Sequence, residues 1–231
     1  ELIMSVVRNK VISLGLARAQ LPGDVIAAMP TAVALTTAGN GSITAAMVAA
    51  GFIRRSGPSG AFTDTLPTSE QIASLLRGFG LTSEWVSGLG IPLRIYNSVA
   101  HALTLAVHSN EGISLSTSVF GTSTAVAASK WRDYFIELAS APVPSLTVTG
   151  ATTNGTKKLL LDAEAAAGAV VPGMSVYGTG VGAAAKVTNV IYGTSGIKEV
   201  WVDTNSTADG AAIVLSFKPT VVVHSLAAGD I

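Results

Sequence analysis

Apolar and polar residues alternate along much of this chain with the period of two that marks half-buried strands. Leu93 and Ile95, then Leu103, Leu105 and Val107, alternate with Arg94, Tyr96, Thr104 and Ala106. The two runs are separated by residues 97–101 and read as neighbouring antiparallel strands. Trp131, Asp133, Phe135 and Glu137 alternate with Arg132, Tyr134, Ile136 and Leu138 in the same way. Residues 25–138 are therefore expected to be mostly β. One helix interrupts them. Thr68 and Gln71 have capping-box spacing, Pro67 precedes them, Ile72, Leu75, Leu76 and Phe79 supply an apolar face, and Gly78 and Gly80 stop it. The Ala-rich stretch 43–53 fits either a helix or a strand.

The two ends of the chain depart from this pattern. In residues 1–21, Ile3, Val7, Val11, Leu14, Ala17 and Leu21 recur at three- and four-residue steps, while β-branched residues and Gly15 make an isolated helix marginal. Pro22-Gly23 ends the segment. It is either a helix packed on its own core or an arm reaching a neighbour. The reading adopted is an arm over residues 1–24, with Ile3, Val7, Val11, Leu14 and Leu21 as candidate assembly contacts. After Pro142-Val143-Pro144 the chain turns rich in Thr, Gly, Ala and Val. Strand-like runs at 146–149, 157–161, 187–192, 199–203 and 212–217 are separated by turn signals at 153–155, 172–173, 193–196 and 208–210. Short strands at this spacing indicate a small β-sandwich or barrel.

Composition changes the picture in one respect. Charged residues are 12% of the 231 and aromatics 6%, against 48% hydrophobic, with a mean hydropathy of +0.52. Such a chain builds thin cores and has apolar surface left over, which favours an obligate assembly over a monomer. A membrane span needs roughly 20 consecutive apolar residues, and the longest candidate, 45–53, is about half that. Arg8, Lys10 and Arg18 interrupt the first twenty residues, so no signal peptide is expected. Cys is absent, and 14 basic residues balance 14 acidic ones without a basic run. Disulfides, thiolate metal sites and nucleic-acid binding are accordingly not expected.

Two stretches carry a resemblance. Pro30-Thr-Ala-Val-Ala-Leu-Thr-Thr-Ala-Gly-Asn-Gly-Ser-Ile-Thr-Ala-Ala46, followed by Arg54-Arg-Ser-Gly-Pro-Ser-Gly-Ala-Phe-Thr-Asp-Thr65, resembles a module of tailed-phage structural proteins. That module runs on through a helix, a pair of strands with an Asn-Ser/Thr turn, and two final strands. The resemblance implies that Val221-Val-Val-His-Ser-Leu226 is its closing strand, delayed by an insertion. Val148-Thr-Gly-Ala-Thr-Thr-Asn-Gly155 and Val171-Pro-Gly-Met-Ser-Val-Tyr-Gly-Thr-Gly-Val181 are similar to a small β module of phage tail and capsid proteins. They depart from its pattern at Pro172 and in the loop after Val181. Neither family implies a catalytic residue.

Candidate chemistry is sparse. His101 and His108 are seven residues apart, which fits no metal motif, and with His224 they read as turn or solvent-facing histidines. No Gly-x-Ser-x-Gly elbow occurs, and 178–182 reads as a glycine-rich turn rather than a phosphate loop. Arg54, Arg55 and Asp64 flank the turn 56–60, and an Arg–Asp pair there could fix the loop or be a surface ion pair of little value. Trp85, Trp131 and Trp201 could anchor subunit contacts, with ordinary core packing as the default.

The expected fold is mainly β: a β-sandwich or jelly-roll-like body (25–142 with 218–231) with one short helix, and a small inserted β-sandwich or barrel domain (143–217). The expected function is that of a non-enzymatic virion subunit without cofactor or metal, made in the host bacterial cytoplasm. It is expected to be a capsid decoration (cement) protein on the capsid surface, binding the major capsid protein lattice as a homo-oligomer, a trimer being favoured. A tail-associated or head-fibre protein whose insert binds a host receptor or glycan is the alternative. A wall-polysaccharide hydrolase would need a carboxylate pair in a cleft, and no acidic residue is placed for it.

Overall fold

A computed structural model describes residues 32–78, 89–116 and 124–229, which are mainly β. The strands of the first part alternate between two sheets. β1 (Val33–Leu35) lies in a six-stranded sheet and β2 (Gly41–Ser42) in a four-stranded one. After helix α1 (Ala45–Ala50) the chain returns through β3 (Phe52–Arg55) and β4 (Phe62–Thr65), and after helix α2 (Ser69–Gly78) through β5 (Gly90–Asn97) and β6 (Leu103–Ala106). β1, β3 and β5 run parallel side by side, as do β2, β4 and β6. The body thus winds as three stacked strand–corner–strand coils. β7 (Ile113–Leu115), β8 (Ala125–Val126) and β9 (Lys130–Leu138) follow, β8 pairing with β6 and β9 with β5.

The antiparallel pairing expected for the runs at 93–95 and 103–107 is not what forms. β5 and β6 belong to different sheets, each parallel to the preceding coil. Both strands point alternate residues inward, Leu93 and Ile95 from one sheet, Leu103 and Leu105 from the other. Alternation specifies which face is buried, not which strand lies alongside. Residues 98–102 turn a corner between sheets.

The capping box is as expected: Thr68 N donates to Gln71 Oε1 (2.9 Å) and Gln71 N to Thr68 Oγ1 (3.2 Å). The ambiguous stretch 43–53 is both helix and strand. Thr44 Oγ1 caps α1 by accepting from Met47 N, and Gly51, left-handed at φ 74°, ends the helix and lets the chain enter β3. Val48 of α1 and Ile72 and Leu76 of α2 join Ile53, Leu93, Ile95, Leu103, Leu105, Tyr134 and Ile136 in one core.

From residue 146 the chain builds a separate six-stranded sheet from β10 (Leu146–Thr152), β11 (Lys158–Ala165), β12 (Ser175–Tyr177), β13 (Val187–Tyr192), β14 (Ile197–Val202) and β15 (Gly210–Lys218), ordered β12-β15-β10-β11-β14-β13. Its end strands meet: Gly173 N donates to Val187 O and Val187 N to Met174 O, both at 2.8 Å, closing a small barrel. Leu159, Leu161, Val176, Val200, Leu215 and Phe217 fill it, and this core shares no residue with that of the body.

β16 (Val221–Gly229) then pairs antiparallel with β9, Val221 opposite Leu138, and parallel with β7. The barrel therefore leaves and re-enters the body at adjacent points of one hairpin. Replacing residues 143–217 by a short Gly-Ser turn should leave the body folded. The check is far-ultraviolet circular dichroism with gel filtration, and an insoluble or unfolded product would refute it. Residues 1–24, with Ile3, Val7, Val11, Leu14 and Leu21, lie outside the described residues, as does Trp85. Among the described residues no helix is long and apolar enough to cross a membrane.

Candidate functional site

The two candidate arginines separate. Consecutive strand residues face opposite sides of a sheet, so Arg54 is exposed while Arg55, at the end of β3, points inward and is fully buried. Arg55 Nε donates to Asp64 Oδ2 at 2.7 Å, and both side chains are sealed, at 0% and 1% exposure. The rest of the guanidinium serves backbone. Nη1 donates to Leu35 O (3.2 Å), Thr37 O (2.7 Å) and Ser56 O (2.6 Å), and Nη2 donates to Gly39 O. The Phe62 ring lies 4.7 Å beneath the guanidinium. Arg55 therefore ties the six-stranded sheet to the four-stranded one, and it holds the corner of the preceding coil as well as its own. Asn97, one rung further along the same ladder, does the same for the next corner. Its Nδ2 donates to His101 O, Val126 O and Ala127 O. These are structural clamps, and Arg54 is not part of them.

The histidines stay apart. His101 sits in a corner with its carbonyl bound to Asn97, and exposed His108 borders an open cleft of about 530 Å³. His224 lies on β16 rather than in a turn, partly buried on the face opposite Val223 and Ser225 and 2.7 Å from Glu137. Among the described residues no three His, Asp or Glu side chains converge as a metal site would require. Two of the cleft's polar groups, Thr44 Oγ1 and Gln71 Oε1, already cap helices.

Trp131 and Trp201, the two tryptophans among the described residues, depart from the default of core packing. Trp131 lies outside the body core, its ring 4.2 Å from the guanidinium of Arg94, which pairs with Asp133 through two hydrogen bonds. Trp201 is 39% exposed on the outside of the barrel. Its cross-strand partners are Lys158 on β11 and Asn189 on β13, and in the next outward row Glu199 lies between Leu160 and Ile191. Lys158 and Glu199 pair at 3.2 Å across this face. Leu160, Ile191, Tyr192 and, two strands away, Val214 are exposed as well. Trp201, Leu160 and Ile191 thus lie in adjoining outward rows around the Lys158–Glu199 ion pair, an arrangement suited to contact with another molecule.

At the end of the same barrel, the carboxylate of Glu164 accepts from Ser195 Oγ (2.8 Å), Ser195 N and Thr194 N (3.0 Å) in the turn between β13 and β14. These bonds, that from the Ser195 hydroxyl foremost, bring its pKa from an ordinary 4.5 down to about 2. A depressed carboxylate contributes its stabilisation in full above its unfolded value and loses it as pH falls through the folded one. The turn should therefore hold down to about pH 4.5 and release progressively towards pH 2. A carboxyl NMR titration of Glu164 checks this, together with amide exchange at Thr194 and Ser195. A Glu164 midpoint near 4.5 would contradict it.

No protein-family model matches the chain, and no curated protein matches it.

Proposed function

We propose that this protein is a non-enzymatic structural subunit of a phage virion, a capsid decoration subunit that binds the major capsid protein lattice as a homo-oligomer, a trimer being favoured. The observation that carries the proposal is the outer barrel face. In a chain with only 12% charged residues, Trp201, Leu160, Ile191 and Tyr192 stand exposed where a neighbouring protein could cover them. The resemblance of residues 30–65 and 148–181 to phage structural modules supports the same reading. Contacts of modest individual strength, repeated across an oligomer and a lattice, would add through multivalency.

The apolar positions Ile3, Val7, Val11, Leu14 and Leu21 belong to this proposal as contacts between subunits or with the shell. Burial of such side chains contributes roughly 1.5–3 kcal/mol each before ordering costs. Light scattering on the full chain and on a chain lacking residues 1–21, followed by co-sedimentation of each with capsids, tests it. The truncated chain should keep its circular dichroism but lose oligomer mass or capsid binding. Retention of both would remove the arm from the proposal.

A second reading, a tail-associated or head-fibre protein with a receptor- or glycan-binding barrel, is favoured by the exposed aromatics Trp201 and Tyr192. Trp201→Ala separates the two: it weakens capsid co-sedimentation under the first reading and binding to host cells under the second.

A further inference from the structure

We propose that the barrel is locked onto the body by a three-point joint, so that the two move as one rigid unit and the Trp201 face is held at a fixed orientation. Two connecting strands alone would leave a hinge, and relative motion is the usual expectation for units joined by a small contact. Here both strands are gripped by the body. On the incoming strand, Arg77 of α2 donates to Pro142 O (3.0 Å), while the Glu70 carboxylate, itself paired with Arg77, accepts from Ser145 N and Ser145 Oγ, each at 2.7 Å. On the outgoing strand, Lys218 pairs with Glu111 at 2.6 Å.

The third point lies on the barrel wall. Tyr177 of β12 accepts through its hydroxyl from Gly112 N at 3.0 Å, and Gly112 O in turn accepts from Val221 N at 2.8 Å. Beside it, Thr220 joins both connections to the barrel. Its N–H donates to Ser140 Oγ (2.8 Å) and its Oγ1 donates to Gly173 O (2.6 Å), with Ser175 Oγ 2.7 Å away. Ser140, Ser175 and Thr220 are all buried, so these bonds are shielded from competing water. A contact on β12, the strand beyond the outgoing β15, adds a third point of attachment and limits the rotation that the two connections would otherwise permit. The lock is polar throughout and shares no apolar core, which is compatible with each unit folding around its own residues.

The chain has no cysteine, so paired spin labels can be placed cleanly at two exposed positions, Arg54→Cys on β3 and Asp162→Cys on β11, and diluted with unlabelled protein. Pulsed electron–electron spin resonance on the full chain should give a single narrow distance distribution. Adding Glu70→Gln, Tyr177→Phe and Thr220→Val should widen that distribution at least about twofold, towards the motion usual for loosely joined units. Tyr177→Phe with Glu70→Gln alone provides a milder pair should the buried Thr220→Val impair folding, and circular dichroism confirms that each variant is folded. A broad distribution in the chain without these changes would overturn the rigid joint. An equally narrow one in both folded variants would overturn the assignment of the lock to these residues.

Discussion

Asp64→Ala should destabilise the body by about 3–5 kcal/mol, the cost typical of leaving one member of a buried ion pair without its partner. Arg55 and Asp64 are both sealed from solvent, so water cannot replace the lost carboxylate without opening the corner between the two sheets. The carbonyls of Leu35, Thr37 and Gly39 would still hold the guanidinium, but dipoles do not neutralise a charge. Asp64→Asn keeps volume and one acceptor and should cost less. Arg55→Met should cost as much as Asp64→Ala, because it leaves both the carboxylate and the corner carbonyls unpaired. Urea unfolding followed by fluorescence in a Trp201→Phe background reads the body through its remaining tryptophans. A loss below about 1 kcal/mol, the range of exposed ion pairs, would show that the corner is open to water.

Gly112→Ala is expected to be comparably severe, at about 3 kcal/mol or more, and its effect should reach the barrel joint. Gly112 has φ +69°, and a Cβ there would lie 2.2 Å from Pro219 O and 2.6 Å from Ser69 Oγ. The left-handed backbone alone costs an L-residue roughly 1–2 kcal/mol. Relieving the overlap requires moving the 219–220 connection away from the body, which breaks the bonds of Gly112 with Tyr177 and Val221. Gly39→Ala is the control, since a Cβ there meets nothing within 4 Å. Thermal unfolding should place the two variants far apart, and equal melting temperatures would contradict the geometry.

Strand positions were legible in the sequence because one-sided burial writes a period of two into β5, β6 and β9. Their pairing was not, because parity carries no information about neighbours. That is why β5 and β6 read as a hairpin, while the structure sends one to each sheet. The same parity could have resolved Arg54 from Arg55, since β3 can turn only one of them inward, and Ile53 and Arg55 share that face. Trp201 carried a comparable signal. Val200 and Val202 face the barrel core, so the residue between them must face out, whatever its size. Glu70, Glu111, Tyr177 and Thr220 gave no signal. Their roles depend on segments far apart in the chain meeting at one joint, and no local pattern records that.

Electron cryomicroscopy of the phage particles to which the proposal assigns this chain tests the proposed role most directly. The expected result is density for the two-sheet body with its barrel, repeated on the outer surface of the capsid and touching the major capsid protein, with the barrel at one orientation in every copy. A capsid surface bare of this density, in particles that otherwise assemble normally, would contradict the role of a decoration subunit.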